Sequence, residues 1–179
     1  QALDVVVSQV RRFDTMVMDL LELSRIDAGS TELHREDVDP RDLIPRIAQS
    51  YGFGDVPFEI DRKVPALVKL DKLRFERILA NLLDNAREHG GGPVRISIEM
   101  RGRHAFVLGV DDAGPGVARG ERSRIFERFA RGSAARHRVG TGLGLSLVAE
   151  HAQAHGGDAW VEDRTGGGAR FLVSFQGVT

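Results

Sequence analysis

Two neighbouring segments in which apolar and polar residues alternate place the strongest constraint on the fold of this chain. They are PVRISIEM (93–100) and HAFVLGVDD (104–112), and the sequence RGRH that joins them predicts a β-hairpin. Alternating side chains of a strand point to opposite faces, so the hairpin has one apolar face that another layer must cover.

Helical and strand periodicities flank this hairpin. We predict helices at 39–52, 71–90 and 145–155, and strands at 56–60, 65–70, 158–163 and 169–175. The sum predicts an α+β fold: a two-layer α/β sandwich whose mixed sheet carries helices on one face.

The amino-terminal segment predicts a long helix of its own. Its apolar residues recur at spacings of four and three, at Val6, Val10, Phe13, Val17 and Leu20, and Gly29 with Ser30 is a plausible stop. This apolar seam is continuous, so we expect a helical partner, namely a second copy of the chain; the alternative is a long helix packed on its own domain. We place this helix in residues 1–30, a polar linker containing Pro40 in 31–40, and the main domain in 41–179.

Composition excludes several classes of function. The 25 basic and 26 acidic residues give a net charge of −1, which provides no general attraction to nucleic acid or anionic membranes. The absence of cysteine excludes disulfides, thiolate nucleophiles and Cys-based zinc sites. No apolar run approaches the roughly 18 to 20 residues that span a bilayer. Because the chain begins with Gln1 and has no signal peptide, we expect it to be a piece of a longer protein.

Two asparagines in the predicted helix 71–90 form the first candidate site. Asn81 and Asn85 are four residues apart and therefore share one face of the helix. Carboxamide oxygen suits Mg²⁺, which takes one or two protein oxygens and leaves its other positions to water and phosphates. The alternative is a pair of capping or surface amides.

The second candidate site follows the hairpin. Asp111 and Asp112 end a strand and precede Gly114 and Gly116, which favour a sharp turn. A carboxylate at that point can accept the exocyclic amine of a purine. The alternative is a plain Asp-Gly turn.

The third candidate site is basic. Arg128 and Arg131 lie three residues apart, opposite an expected apolar face of Ile125, Phe126 and Phe129. Guanidinium groups suit phosphate oxygens and the charge that develops in phosphoryl transfer. The alternatives are a solvated loop and, more weakly, a nucleic-acid patch, which would need interleaved aromatic residues that this stretch lacks.

The fourth candidate site is GTGLGL (140–145), directly before a predicted helix. Backbone N–H groups at a helix amino terminus can bind phosphate. The motif lacks the Lys of a Walker loop and the context of a dinucleotide fingerprint, so by itself it is equally compatible with a flexible turn.

In this order, the four stretches resemble the ATP-binding catalytic domain of sensor histidine kinases, in the superfamily shared with DNA gyrase, Hsp90 and MutL. Residues 81–89 resemble the N box, 112–116 the first glycine box, 125–131 the F box, 140–145 the second glycine box, and 166–168 with Phe171 a trailing glycine motif. Residues 11–29 are similar to the second helix of the family's dimerisation and phosphoacceptor hairpin. The resemblance implies a Bergerat-type ATP-binding fold preceded by a long dimerisation helix.

The resemblance also implies the cofactors ATP and Mg²⁺ and a role for each matching residue. Asn85 would hold Mg²⁺ between the phosphates with support from Asn81, and Asp112 would receive the adenine amine. Gly114 and Gly116 would let the backbone approach the base. The γ-phosphate would be reached by Arg131 and, as the second candidate, Arg128; the hinge and phosphate-facing end of a lid over ATP would be formed by Gly140, Thr141, Gly142, Leu143, Gly144 and Leu145.

The position of Asn81 separates two activities. Hydrolytic relatives of the superfamily have a Glu four residues before the metal-binding Asn, and an amide cannot take a proton from water. The sequence therefore favours phosphoryl transfer by a protein-histidine kinase over an ATPase. Glu88 and Ala169 depart from the family pattern and remove a candidate phosphate contact and a hydroxyl near adenine, so a nucleotide-free interaction scaffold remains an alternative.

The resemblance places the phosphoacceptor His on the first hairpin helix, yet no His precedes His34. We expect His104, His137, His151 and His155 to lie in turns, in the lid over ATP or on helix surfaces. The acceptor is therefore expected upstream of Gln1, and this chain should bind Mg·ATP without phosphorylating itself. The implied partners are a response regulator and a second copy of the chain, without nucleic acid. The implied location is the cytoplasmic portion of a bacterial membrane protein, anchored only through segments outside this chain.

Overall fold

The computed structural model describes residues 2–29, 32–130 and 142–177, which fall into two units, Gln1–Glu32 and Leu33–Thr179. The first unit is built on one helix, α1 (Ala2–Asp27). It ends before Gly29, whose φ of 71° and N–H bond of 3.0 Å to the Ile26 carbonyl close the last turn, as the sequence predicts. Val6, Val10 and Phe13 of the predicted seam are exposed.

The second unit contains three helices, seven strands and two 3₁₀ helices among its described residues. In chain order they are β1 (Glu36–Val38), α2 (Pro40–Ser50), β2 (Phe58–Ile60), β3 (Val68–Leu70), α3 (Lys72–His89), β4 (Pro93–Met100), β5 (Ala105–Asp112), the 3₁₀ helices Arg119–Glu121 and Arg124–Phe126, α4 (Gly144–Ala154), β6 (Ala159–Asp163) and β7 (Ala169–Gln176).

Five of the strands form a mixed sheet in the order β2-β4-β5-β7-β6. Only the β2–β4 pair is parallel, and the predicted β4–β5 hairpin lies at the centre. The remaining two strands, β1 and β3, form a separate antiparallel pair. Strand β1 lies in residues that sequence analysis placed in the linker, because a three-residue strand held by backbone hydrogen bonds leaves almost no side-chain pattern.

The helices cover one face of the five-stranded sheet, which confirms the predicted two-layer sandwich. Helix α3 begins after Asp71, whose side chain accepts the Arg74 N–H at 3.1 Å. It buries Phe75 against Phe106 of β5 and Phe175 of β7, with ring centroids 6.4 and 5.3 Å away. The rest of the core comes from the apolar faces of α2, α3, α4 and the inward-facing residues of β4, β5 and β7.

Two histidines at the end of α4 are buried against this core: His151 lies within the helix, and His155 lies in the turn that caps it. The expectation of a helix-surface position is therefore wrong for His151, and the turn that holds His155 is buried. His151 and His155 are each 1% exposed. His155 Nε2 accepts the Asp71 backbone N–H at 3.2 Å, so its Nδ1 carries the proton and donates to the His151 carbonyl at 2.8 Å. The imidazole thus joins the end of α4 to the start of α3.

None of the helices in the described part of the chain is both long and apolar enough to cross a membrane.

Candidate functional site

Helix α3 brings Asn81 and Asn85 to one side of the sandwich, where both side chains are half-buried. The Asn81 amide lies against the beginning of α4: a Cβ added to Gly144 would come within 3.2 Å of Asn81 Oδ1. The last glycine of GTGLGL therefore leaves room for an amide of the N-box stretch. The first and fourth candidate stretches, more than fifty residues apart in sequence, meet at this contact.

Asp112 ends β5 and continues the inward-facing series of that strand. It is 3% exposed, and its Oδ1 accepts two backbone hydrogen bonds, from Gly114 N and Ala169 N, each at 2.9 Å. Within the described ranges, the hydrogen bonds to this carboxylate all go to Oδ1. The side chain is thus held in one orientation while Oδ2 keeps its acceptor capacity.

Two glycines border the Asp112 carboxylate and a third borders its backbone carbonyl. A Cβ on Gly90 would come within 2.5 Å of Asp112 Cγ, and one on Gly114 would come within 3.2 Å of Oδ1. Gly168 has a φ of 97°, and a Cβ there would overlap the Asp112 carbonyl oxygen. The sequence indicates Gly90 only as the end of a helix and Gly168 only as part of a motif, because the closeness of either to Asp112 arises only in the folded chain.

Gly116 and Gly142 also make close backbone approaches. A Cβ on Gly116 would come within 3.4 Å of the Gly168 carbonyl oxygen. Gly142 has a φ of 71°, and its carbonyl accepts the Phe129 N–H at 2.9 Å. This bond joins two described residues on either side of 131–141. The candidates Arg131, Gly140 and Thr141 fall in 131–141, outside the described residues.

The apolar residues of the fourth stretch face the core. Leu143 is fully buried and Leu145 packs against the hydrophobic cluster. In the third stretch, Ile125 and Phe126 also pack against the core, whereas Phe129 is 61% exposed and has a φ of 61°. The expected apolar face of the third stretch therefore lacks Phe129.

Two arginines in and just before the third candidate stretch, Arg122 and Arg128, are held by acidic side chains. Arg128 Nη2 lies 3.0 Å from Glu150 Oε1 of α4. Arg122 Nη2 donates to Asp163 Oδ1 at 2.5 Å, and Arg122 Nε donates to the Val117 carbonyl at 3.1 Å. The hydrogen bond from Arg122 lowers the pKa of Asp163. These pairs fix the stretch to α4 and β6, so Arg128 would have to leave Glu150 to reach a phosphate.

The two residues that depart from the family pattern differ in exposure. Glu88 is exposed near the end of α3 and lies 3.9 Å from His89 Nε2. Ala169 is buried at the start of β7, where its N–H is one of the two donors to Asp112.

Comparison with known proteins identifies the family. The family model of the histidine kinase-, DNA gyrase B- and HSP90-like ATPases matches residues 70–178. The chain belongs to this family. The prediction made from the four ordered stretches is thereby confirmed.

Curated relatives of this family member are signalling kinases. The chain is 42% identical over 174 residues to the signal transduction histidine-protein kinase AfsQ2 of Streptomyces coelicolor, covering 96% of this chain and 32% of that protein. It is 38% identical over 181 residues to the sensor histidine kinase MtrB of Mycobacterium tuberculosis, covering 96% of this chain and 31% of that protein. The chain thus spans about a third of the length of the curated relatives it matches.

Solved structures agree with the fold. Full-length ShkA in complex with AMPPNP superposes with a TM-score of 0.79 at 28% identity, covering 92% of this chain and 36% of that one. The ATP binding domain of PrrB from Mycobacterium tuberculosis superposes with a TM-score of 0.61 at 30% identity, covering 81% of this chain and 98% of that one.

Proposed function

We propose that this chain binds Mg·ATP between α3, the end of β5 and the start of α4, as the catalytic part of a protein-histidine kinase. The observation that carries the proposal is the Asp112 carboxylate. It is buried, held through Oδ1 by two backbone N–H groups and bordered by Gly90 and Gly114, which leaves Oδ2 to accept the exocyclic amine of adenine. The family and the AMPPNP complex of ShkA support ATP as the ligand.

The amide oxygen of Asn85 is a suitable ligand for Mg²⁺. Among the described residues no group of three or more His, Cys, Asp or Glu could hold a metal ion. Mg²⁺ usually takes only one or two protein oxygens, most often from carboxylates, and leaves its other positions to water and phosphate oxygens; an amide oxygen is a hard ligand of the same kind. Asn85 would provide that oxygen and Asn81 would orient it, and the bound ion would neutralise charge on the phosphates.

We infer phosphoryl transfer to histidine rather than hydrolysis. In the transfer, an imidazole nitrogen attacks the γ-phosphorus, the bond from phosphorus to the β–γ bridging oxygen breaks, and ADP leaves. Hydrolysis would need a base for water, and the Asn81 amide provides none. Arg131, or Arg128 after it leaves Glu150, would stabilise the charge on the transferred group.

We propose that the acceptor His lies in another part of the protein, since this chain spans about a third of the length of its relatives, and that the downstream partner is a separate protein. We propose residues 1–30 as the second helix of a dimerisation hairpin, 31–40 as the linker and 41–179 as the catalytic domain. Val6, Val10 and Phe13 are exposed on α1, which supports pairing with a second copy. Since the relatives are named as sensor or signal transduction kinases, a response regulator is the proposed recipient of the phosphoryl group and the cytoplasmic side of a membrane the proposed location.

Labelled ATP distinguishes this function from its alternatives. The chain alone is expected to show ATP-dependent thermal stabilisation but neither stoichiometric phosphohistidine nor multiple-turnover release of phosphate. The full-length protein is expected to form phosphohistidine on its hairpin. Steady phosphate release by the chain would favour the ATPase, and absence of any thermal shift with ATP would favour the nucleotide-free scaffold.

A further inference from the structure

A group of charged residues lies on the sheet face opposite the helices. Arg95 of β4, Asp111 of β5 and Arg170 of β7 stand directly opposite one another in the strand register. We call these three residues the Asp111 cluster. Their strand neighbours Ile96, Val110 and Phe171 point into the core, so the cluster faces away from it.

The cluster holds a buried carboxylate between two arginines. Asp111 is 2% exposed, and its Oδ2 accepts bonds from Arg95 Nε at 3.0 Å and Arg95 Nη2 at 2.7 Å. Its Oδ1 lies 3.6 Å from Arg170 Nε. Removing the charge of a buried carboxylate, or one of its charged partners, strongly destabilises a buried ion pair of this kind.

Each arginine also contacts a further carboxylate on β2 or β4. Arg95 Nη1 donates to Glu59 at 3.0 Å, and Arg170 Nη2 donates to Glu99 at 2.6 Å. The hydrogen bond that Arg95 donates to Asp111 raises the pKa of Arg95, in keeping with a guanidinium held in its charged form. The cluster therefore connects four of the five strands at one end of the sheet.

Asp112 lies at the same end of the sheet, as the last residue of β5. Asp111 and Asp112 are consecutive and point to opposite faces, while Ala169, the donor to Asp112 Oδ1, directly precedes Arg170. A shift of β5 against β7 would therefore alter the Ala169 N–H bond and turn the Asp112 carboxylate. A displacement of about 1 Å at a recognition group can cost roughly 100-fold in function.

We propose that Asp111 is a positioning residue that sets adenine selectivity through Asp112, because Arg95 and Arg170 hold it and thereby hold the end of β5. The inference rests on the proposed adenine contact of Asp112. Asp111 does not touch the nucleotide; it acts from the other face of the strand, through the backbone that the two aspartates share.

The test compares binding of ADP with binding of inosine diphosphate, which has an oxygen in place of the exocyclic amine. Calorimetry on the wild-type chain is expected to show that ADP binds more tightly than inosine diphosphate, by about tenfold or more. A hydrogen bond to a charged group contributes enough free energy for a difference in affinity of that size. Asp111→Asn is expected to reduce this preference to within about threefold. Asp37→Asn, the same chemical change at a strand carboxylate 3.1 Å from Lys69, is the control and should keep the wild-type preference.

A loss of packing alone would weaken the binding of ADP and of inosine diphosphate equally, so the ratio of the two affinities would not change. Arg170→Lys is the second variant, for the case in which Asp111→Asn does not fold. It keeps the positive charge but not the planar guanidinium, and it is also expected to lower the preference for ADP over inosine diphosphate. Retention of the full wild-type ratio by the folded variants would overturn the positioning role. A wild-type chain that binds both nucleotides equally would overturn the adenine contact itself, and with it this inference.

Discussion

Gly90 has no side chain, yet the space it leaves is occupied by the carboxylate on which the proposed site depends. Its φ is −100°, which any residue can adopt, so glycine is not needed there for backbone conformation. The constraint is distance: an added Cβ would come within 2.5 Å of both Asp112 Cβ and Cγ. Residues without chemical function can thus determine where a functional group points.

Gly90→Ala is expected to displace Asp112 and to lower nucleotide affinity by about tenfold or more, because the methyl group and the carboxylate cannot share that volume. Calorimetry with ADP measures the effect. Gly120→Ala is the matched control, since a Cβ at Gly120 would meet nothing within 4 Å. Equal affinities of the two variants would contradict the steric argument.

At the scale of elements, periodicity predicted the α3 and α4 helices and the β4–β5 hairpin within a few residues of their ends. These segments are long and amphipathic, so their own side chains carry the signal. Strand β1 was missed because backbone pairing with β3 defines it. Phe129 was wrongly assigned to an apolar face, because its backbone turns to a φ of 61° beside the bond to Gly142.

Helix α3 offers a direct test of which face supports the sandwich. Phe75→Ala is expected to lower the free energy of unfolding by about 3 to 5 kcal/mol, because it removes a fully buried ring between two other aromatic rings. Leu73→Ala, two residues earlier and 71% exposed, should change it by less than about 0.5 kcal/mol. Urea unfolding measures both, and similar losses would contradict the assigned helix orientation.

At the scale of the whole molecule, His155 links α3, α4 and the sheet. It accepts the Asp71 N–H, donates to His151 and lies edge-on to Phe175, with ring centroids 5.2 Å apart. Burial lowers the pKa of His155 below 6.5, against the weaker opposing effects of the bond to His151 and the charge of Asp71. The folded chain therefore favours the neutral form of this imidazole.

This burial predicts how stability depends on pH. Below about pH 6.5 the unfolded chain protonates this imidazole while the folded chain does not, so the free energy of unfolding should fall as pH decreases. The slope due to one proton is at most about 1.4 kcal/mol per pH unit. Urea unfolding from about pH 7.5 to about pH 5 measures it.

The matched variants for this measurement are His155→Gln and His104→Gln. His155→Gln is expected to flatten the pH dependence in this range, although it also lowers stability at neutral pH because the bond from Asp71 is disturbed. His104→Gln alters an exposed residue of the β4–β5 turn and should keep the wild-type slope. An unchanged slope in His155→Gln would contradict the assignment.

The sequence by itself determined the type and order of the main elements, the family, and the residues Asn81, Asn85 and Asp112 as candidates, because periodicity and motif spacing are properties of neighbouring positions. Only the tertiary structure decided that Gly90 and Gly168 border Asp112, that Glu150 holds Arg128, and that two arginines hold Asp111. These contacts join residues tens of positions apart, and local propensities carry no information on distance between such positions. Those distances are set by the register of the strands and by the close packing of the helices on the sheet.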